Sequence, residues 1–351
     1  MQYGLALKER LTNRLNVAQT GTLYHAVFEG VVQQLIIQQL SLRDISQKAL
    51  QQLVADNMAE ITAQPAYQML QETGKMRATQ HYLAKVSEIL AVNMQRAARV
   101  NHAQPKAVER LFGFPNRQSL PALVVSTPQA TVHLRGKIDR LDSQDPSQVY
   151  GTIIDYKSNG KHFDWGQAYD GRQMQLLTYW QAAQLSAEQL GIEAIGGAFF
   201  AKIAPEKLTI KDFKGDVRAM LRGEIKPEQF KYRGLFISEP AYIDSLETLA
   251  EGEGSQFYQL KKKANGELYA NSDVILPEDF ELLLKRNLDN IQRASAAILS
   301  GDFPLSPAEG GLQFTPFTDV LRFDRALGDQ YKSNTPKNKS DILKLLKADE
   351  E

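Results

Sequence analysis

From Gly21 to about Val100 apolar residues recur at helical spacing, in a stretch rich in Gln, Ala and Leu with few β-branched runs. That period predicts helices over 21–40, 42–59 and 66–101, with breaks near Ser41 and Pro65. Thr22, just after Gly21, is a plausible cap for the first. At Pro105 the pattern changes. Residues 107–112, 122–127, 131–141 and 149–155 alternate or run apolar, with Val, Ile and Thr between Pro, Gly, Asn and Asp, which predicts a meander of strands. A helix from Gly171 to about Leu190 follows, then a buried strand over 192–202. The order β-β-β-α-β predicts an α/β core with a mixed sheet. Residues 202–235 read as a loop-rich excursion with a mild positive excess (Lys207, Lys211, Lys214, Arg218, Arg222, Lys226, Lys231, Arg233). Residues 242–250 read as a short helix and 257–268 as a hairpin turning at Asn265-Gly266. Pro277 opens a long helix to Leu299, closed by Gly301. The tail from Tyr331 is polar and lysine-rich, with an amphipathic end at Ile342, Leu343, Leu345 and Leu346.

Within this pattern one strand end carries candidate chemistry. Val149 to Ile154 is a buried-strand run that ends in Asp155-Tyr156-Lys157. Residues i and i+2 of a strand share a face, so Asp155 and Lys157 project together. A carboxylate beside an ammonium can hold a divalent metal and a polarised water. Alone, such a pair is most often a surface ion pair worth little. A second acid, Asp139, lies 155 − 139 = 16 residues upstream, and a turn through Asp142 to Gln148 would let a hairpin bring the two together. On the first helix Gly21, His25 and Glu29 share a face. A lone helix histidine is most often satisfied by a neighbour such as Glu29 or by backbone. The functional reading is a neutral imidazole as metal ligand. Gln175 and Tyr179 share a face of the later helix.

Composition narrows the classes. At 351 residues, 43% hydrophobic and 23% charged, the chain suits two average domains or one large elaborated one. It has no apolar run of some eighteen residues, so no membrane span is expected. Zero cysteines exclude disulfides, thiolate zinc sites and iron–sulfur ligation by this chain. Net charge is zero, so any nucleic-acid contact rests on local patches. One is the basic excess of Lys75, Arg77, Lys85, Arg96 and Arg99 over Glu72 and Glu88, by default a solvated face, in a nuclease a path for phosphates. Gly74-Lys75 lacks the rest of a P-loop, so ATP binding by this chain is not expected. No basic-then-apolar segment opens the chain, and a cytoplasmic location is expected. Residues 1–15 have no obvious helix cap, as in a fragment that begins mid-structure.

Four segments, in order, carry a resemblance. Gly21-Thr22-Leu23-Tyr24-His25 looks like a G-x-x-x-H helix motif, and Gly136-Lys137-Ile138-Asp139-Arg140-Leu141-Asp142 like a G-x-I-D-R-x-D strand. Ile154-Asp155-Tyr156-Lys157-Ser158 looks like a D-x-K strand end, and Gln175-Leu176-Leu177-Thr178-Tyr179 like a Q-x-x-x-Y helix. Together they resemble the RecB-type branch of the PD-(D/E)xK nucleases. The segments Tyr3-Gly4-Leu5-x-Leu7-Lys8-Glu9-Arg10, Glu109-Arg110-x-Phe112-Gly113 and Leu312 to Asp324 are similar to the C-terminal nuclease domain of AddB/RexB subunits of helicase–nucleases.

The resemblance implies a restriction-endonuclease-like α/β core with a mixed central sheet, a large N-terminal helical insertion and a C-terminal helical segment. In that reading 1–351 is one elaborated nuclease domain, a fragment of a longer subunit. It comprises a helical region (21–101), a catalytic core (105–202), an excursion with hairpin and long helix (203–300), a latch (301–330) and a polar tail (331–351). It implies Mg²⁺ or Mn²⁺ held by His25, Asp139, Asp155 and the backbone carbonyl of Tyr156. Asp139, Asp155, Lys157, Gln175 and Tyr179 become the catalytic set. Lys157 would orient the attacking water or stabilise the phosphorane, and Gln175 and Tyr179 would position the DNA strand or the Lys157 loop. Many members of the family carry an iron–sulfur cluster. Its three C-terminal cysteine positions here hold Leu312, Thr315 and Leu321. No cluster can form, and packing by Leu312, Phe314, Phe317 and Leu321 is expected in its place. The implied partners are DNA and an AddA/RexA-type helicase–nuclease subunit, in a heterodimer that processes double-strand breaks for recombinational repair. This domain would degrade the strand with the 5′ end. Two other readings stay open: a catalytically silent docking module of the same fold, and a free-standing phage-type repair nuclease.

Overall fold

The computed structural model of the protein describes residues 15–144, 149–158, 160–203, 230–302, 304–308, 310–313, 315, 317–332 and 338–350. Most of the excursion expected over 202–235, the first fourteen residues and Phe314 lie outside them. The helices are α1 (Val17–Ile37), α2 (Gln47–Thr62), α3 (Met69–Glu72), α4 (Gly74–Asn101), α5 (Trp165–Tyr169), α6 (Gln175–Gln184), α7 (Ala187–Leu190), α8 (Pro240–Leu246), α9 (Pro277–Ser300), α10 (Thr318–Leu321) and α11 (Lys339–Ala348). The strands are β1 (Ala103–Phe112), β2 (Leu123–Ser126), β3 (Thr131–Leu134), β4 (Gly136–Gln144), β5 (Tyr150–Lys157), β6 (Ala194–Lys202), β7 (Arg233–Ile237) and β8 (Val274–Ile275). The chain folds as two compact units, each drawn from three segments: Met1–Arg110, Lys137–His162 and Ala187–Val274, then Leu111–Gly136, Phe163–Ser186 and Ile275–Glu351.

In the first unit the helical region is built on α1. Leu23, Tyr24, Val27, Phe28, Val31, Val32 and Leu35 repeat at helical spacing and are at most 1% exposed. Each buried side chain of this size contributes about 1.5–3 kcal/mol relative to exposure. The helix starts earlier than Thr22. Asn16 caps it in a reciprocal box with Gln19, and a side-chain amide aimed at the free N–H groups fixes the start. Thr22 sits inside the helix, where its hydroxyl donates to the Ala18 carbonyl at 3.0 Å. Ser46 caps α2 and Thr73 caps α4. Those caps shift the second expected helix to 47–62 and split the third at Thr73. Lys75, Arg77, Lys85, Arg96 and Arg99 are exposed, as both readings of that basic excess require.

The mixed sheet runs β1-β4-β5-β6-β7-β8. Central β5 pairs antiparallel with β4 and parallel with β6, and β7 returns antiparallel to β6. The strand expected over 131–141 is two strands, because β3 pairs with β2 in a separate ribbon and β4 begins at Gly136. Along β5, Ile154 and Tyr156 join the helical core, so Asp155 and Lys157 face the other way. Gly196 and Gly197 leave room for Tyr242 on α8: a Cβ at Gly196 would lie 2.2 Å from its ring. On β4 the period of two puts Arg140 and Asp142 on one face. Both are 2% exposed and form a two-pronged ion pair, with both N···O distances 2.5 Å. Arg140 also reaches the Tyr156 hydroxyl at 3.4 Å.

In the second unit the helix expected from Gly171 to Leu190 is shorter. Gly171, at φ 75°, ends α5, and Asn290 on α9 donates to the last α5 carbonyls of Ala168 and Tyr169, so the chain turns before α6 begins. Trp180 of α6 packs on Phe280 of α9, with centroids 4.4 Å apart. Helix α9 opens on Pro277 and closes at Gly301, φ 72°, as the sequence predicts. Helix α11 buries Ile342 and Leu346, with Lys347 paired to Asp279 at 2.8 Å. The packing expected of Phe317 and Leu321 is corrected. Phe317 is 59% and Leu321 37% exposed, Leu312 is half-buried, and α10 buries none of its residues. A helix of one turn has no continuous apolar face to bury.

Removing one partner of a buried pair leaves an uncompensated charge, which costs about 3–5 kcal/mol. Asp142→Ala is therefore expected to lower the unfolding free energy in urea by that amount. The double change Arg140→Met/Asp142→Leu should recover most of it, and a single variant as stable as the parent would contradict the account.

Candidate active site

The β4–β5 register sets the site. Arg140 opposes Ile154 and Leu141 opposes Ile153, so Asp139 and Asp155 come face to face one step further on. The strand pairing expected from the 16-residue gap is therefore formed, with Asp142 and Ser143 in β4 and not in the turn, while residues 145–148 lie outside the described ones. Asp139 Oδ2 accepts the Tyr156 N–H at 2.9 Å, the donor β5 would otherwise offer to a neighbouring strand. The carbonyl of Tyr156 opens to the same edge, because N–H and C=O of one strand residue point the same way.

The same Oδ2 takes His25 Nε2 at 2.8 Å. His25 is therefore paired with Asp139 and not with Glu29, since α1 runs its histidine flank past the strand end. Gly21 permits that approach: a Cβ there would stand 3.3 Å from Ser158 Cβ and Oγ. The His25 ring meets the Tyr156 ring edge-on, with centroids 5.5 Å apart. Behind His25 stands Glu109, whose Oε1 is 3.8 Å from Nδ1 and whose other oxygen pairs with Lys137. Glu109 has φ 50° inside β1, a left-handed conformation that costs a non-glycine residue on the order of 1–3 kcal/mol. Sequence reasoning did not select it as a site residue. Its signal was only the Glu109-Arg110-x-Phe112-Gly113 segment, and strand pairing brings it to the histidine.

Asp155 is fully buried and forms an ion pair with Lys157. Burial first, then the Asp139 charge, raise its carboxyl from the ordinary 3.8 to about 6, against the pull of Lys157 and His25. Lys161 joins this group from the chain beyond β5. Burial and then the Lys157 charge hold its ammonium below the usual lysine range. His25, Lys137, Tyr156, Lys157 and Ser158 line a groove of about 390 Å³, with Gly21 and Glu29 along its α1 side. Gln175 and Tyr179 belong to the second unit, one turn apart on α6, with the amide donating to the phenol oxygen at 3.1 Å.

The donor set fits a hard divalent cation. Ligand atoms of His25, Glu109 and Asp139 lie within 4.8 Å of one another. Asp155 stands beside them, its carboxyl raised first by burial and then by the Asp139 charge, and a cation would relieve both effects. One imidazole among carboxylates suits Mn²⁺ as well as Mg²⁺.

The fold and this constellation define a nuclease class, and the chain belongs to it: the family model of the PD-(D/E)XK nuclease superfamily matches residues 1–310. Among curated proteins the chain is similar to the B subunits of bacterial enzymes called ATP-dependent helicase/deoxyribonuclease. It is 99% identical over its whole length to that of Leuconostoc citreum (strain KM20). It is 57% identical over 99% of its length to that of Leuconostoc mesenteroides subsp. mesenteroides, and 32% identical over its whole length to that of Oenococcus oeni. The chain spans about 30% of the length of these relatives. Among the described residues no helix is long and apolar enough to cross a membrane.

Folded Asp155 keeps its proton to about pH 6, whereas the unfolded chain releases it near 3.8. The stability this confers is full below pH 3.8 and is lost as pH rises through 6, above which the buried carboxylate opposes folding by up to about 3 kcal/mol. Asp155→Asn is expected to raise the melting temperature in EDTA near pH 8 and to change it little near pH 4. Equal shifts at both would contradict the assignment.

Proposed function

We propose that this chain is the metal-dependent deoxyribonuclease domain of an ATP-dependent helicase–nuclease. It would hydrolyse phosphodiester bonds of single-stranded DNA as a 5′-to-3′ exonuclease, while double-strand breaks are processed for recombinational repair in the cytoplasm. The observation that carries the reading is the convergence of His25, Asp139, Asp155 and Lys157, from three separate stretches of chain, at the end of β5, where His25 and Lys157 line the groove and the two acids stand buried behind them. The names of the relatives support the complex, in which an AddA/RexA-type subunit is the partner that unwinds DNA.

Asp139, Asp155, His25 and the Tyr156 carbonyl would hold Mg²⁺ or Mn²⁺. When bound, the cation supplies Lewis acidity for the phosphodiester and an acidified water. Lys157, kept at the strand end by Asp155, would donate from Nζ to the attacking water or to a phosphate oxygen as charge develops there. Asp139 holds the His25 ring through Nε2, and Glu109, 3.8 Å from Nδ1, would add a carboxylate to the same cation site. Gln175 and Tyr179 would bind the DNA strand through amide and phenol.

End-labelled single-stranded DNA incubated with Mg²⁺, Mn²⁺ or EDTA tests this. Cleavage should require metal and fall by about 10²-fold or more in Asp155→Ala and in Lys157→Ala. Calorimetric titration of Mn²⁺ should show binding lost in Asp155→Ala and kept in Lys157→Ala. Wild-type cleavage by either variant would sink the reading.

A further inference from the structure

We propose that Lys161 is a second cation of the substrate site, binding a phosphodiester oxygen of the DNA strand beside Lys157. The proposal rests on the nuclease reading and adds to it a residue outside the four motifs. Lys161 Nζ lies 4.9 Å from the centroid of the Phe200 ring, and Lys157 Nζ lies 5.6 Å from the same centroid. Phe200 opposes Asp155 in the parallel β5–β6 register and is 1% exposed. Its ring is thus a fixed floor, beside the buried acid, on which two ammonium groups converge.

The charges on that floor do not balance. Asp155 pairs with Lys157. Among the described residues no carboxylate lies within ion-pair distance of Lys161. Attraction to an aromatic face contributes about 0.5–2 kcal/mol per cation, and the one Asp155 carboxylate, already paired with Lys157, only partly offsets the repulsion between the two ammoniums. An anion received between them relieves that repulsion. In a nuclease groove the anion of the right charge is a phosphodiester, which both lysines can reach as point-charge donors. A purely structural role would have the Lys161 stem pack on Phe200 and the ammonium stay in water. That role predicts a change in stability and none in DNA binding.

The experiment uses Lys161→Ala, Lys161→Gln and Lys161→Arg in the full chain. Binding of a fluorescent single-stranded oligonucleotide is followed by anisotropy in EDTA, where no cleavage occurs, across a NaCl series. Loss of one phosphate contact should reduce the slope of log K against log [salt] by about 0.7 in the Ala and Gln variants and weaken binding alike for every sequence. Lys161→Arg should keep the parent slope. Mn²⁺ affinity by calorimetry should stay within about twofold in all three, since Lys161 is no ligand, and this also reports an intact fold. Parent-like slope and affinity in Lys161→Ala and Lys161→Gln, with or without a lower melting temperature, would overturn the proposal and leave the nuclease reading standing. A parent protein that neither binds nor cuts DNA would overturn both.

Discussion

One carboxylate oxygen joins the parts of this site. Asp139 Oδ2 accepts the Tyr156 N–H and His25 Nε2 together, so it ties the end of β5 and the flank of α1 to β4. The tie is made against an electrostatic cost, because the register that delivers Asp139 also sets it opposite buried Asp155. Burial of Asp155 and the facing Asp139 charge together cost on the order of a few kcal/mol. The seven apolar residues of α1 at most 1% exposed contribute well beyond it, each about 1.5–3 kcal/mol on burial. The helix holds its histidine in place through packing, and the carboxylates are obliged to share the space.

The sheet divides the labour by its period of two. On one face Arg140, Asp142 and Tyr156 form a buried polar network that is satisfied internally and positions backbone. On the other stand Asp139, Asp155, Lys157 and the Phe200 ring, the face of the candidate site. A slip of one residue in the β4–β5 pairing would exchange the two sets. The fully paired Arg140 guanidinium resists such a slip, since moving it would expose or orphan a buried charge. The buried Arg140–Asp142 pair thereby keeps the candidate-site residues of β4 and β5 in register. Gly21 has the same standing, because a small residue lets the helix come close to Ser158 at the strand end.

Alternation and turn residues sufficed to read the mixed α/β core, the buried β5 strand, the Asp155–Lys157 face and the hairpin that pairs Asp139 with Asp155, because these depend on neighbours a few residues apart. Pro277 and Gly301 likewise mark a helix by local chemistry. Helix starts were less legible, since Asn16 and Thr73 won over other residues able to cap. Spacing alone did not give the partner of His25, which only the family resemblance set beside Asp139. Glu29, one turn away, was the local choice, yet packing turned the ring to Asp139, more than a hundred residues on. Glu109 escaped for the same reason, as strand pairing brings it to the histidine, whereas Lys161 lies just beyond the D-x-K strand end and outside the motifs. The exposed Phe317 and Leu321 show the converse: apolar character in sequence does not ensure burial where a one-turn helix offers no face to cover. The sequence by itself determined which residues could bind a metal and a phosphate. Only tertiary structure decided which of them meet, because a site made of segments far apart in the chain exists only once the core between them is packed.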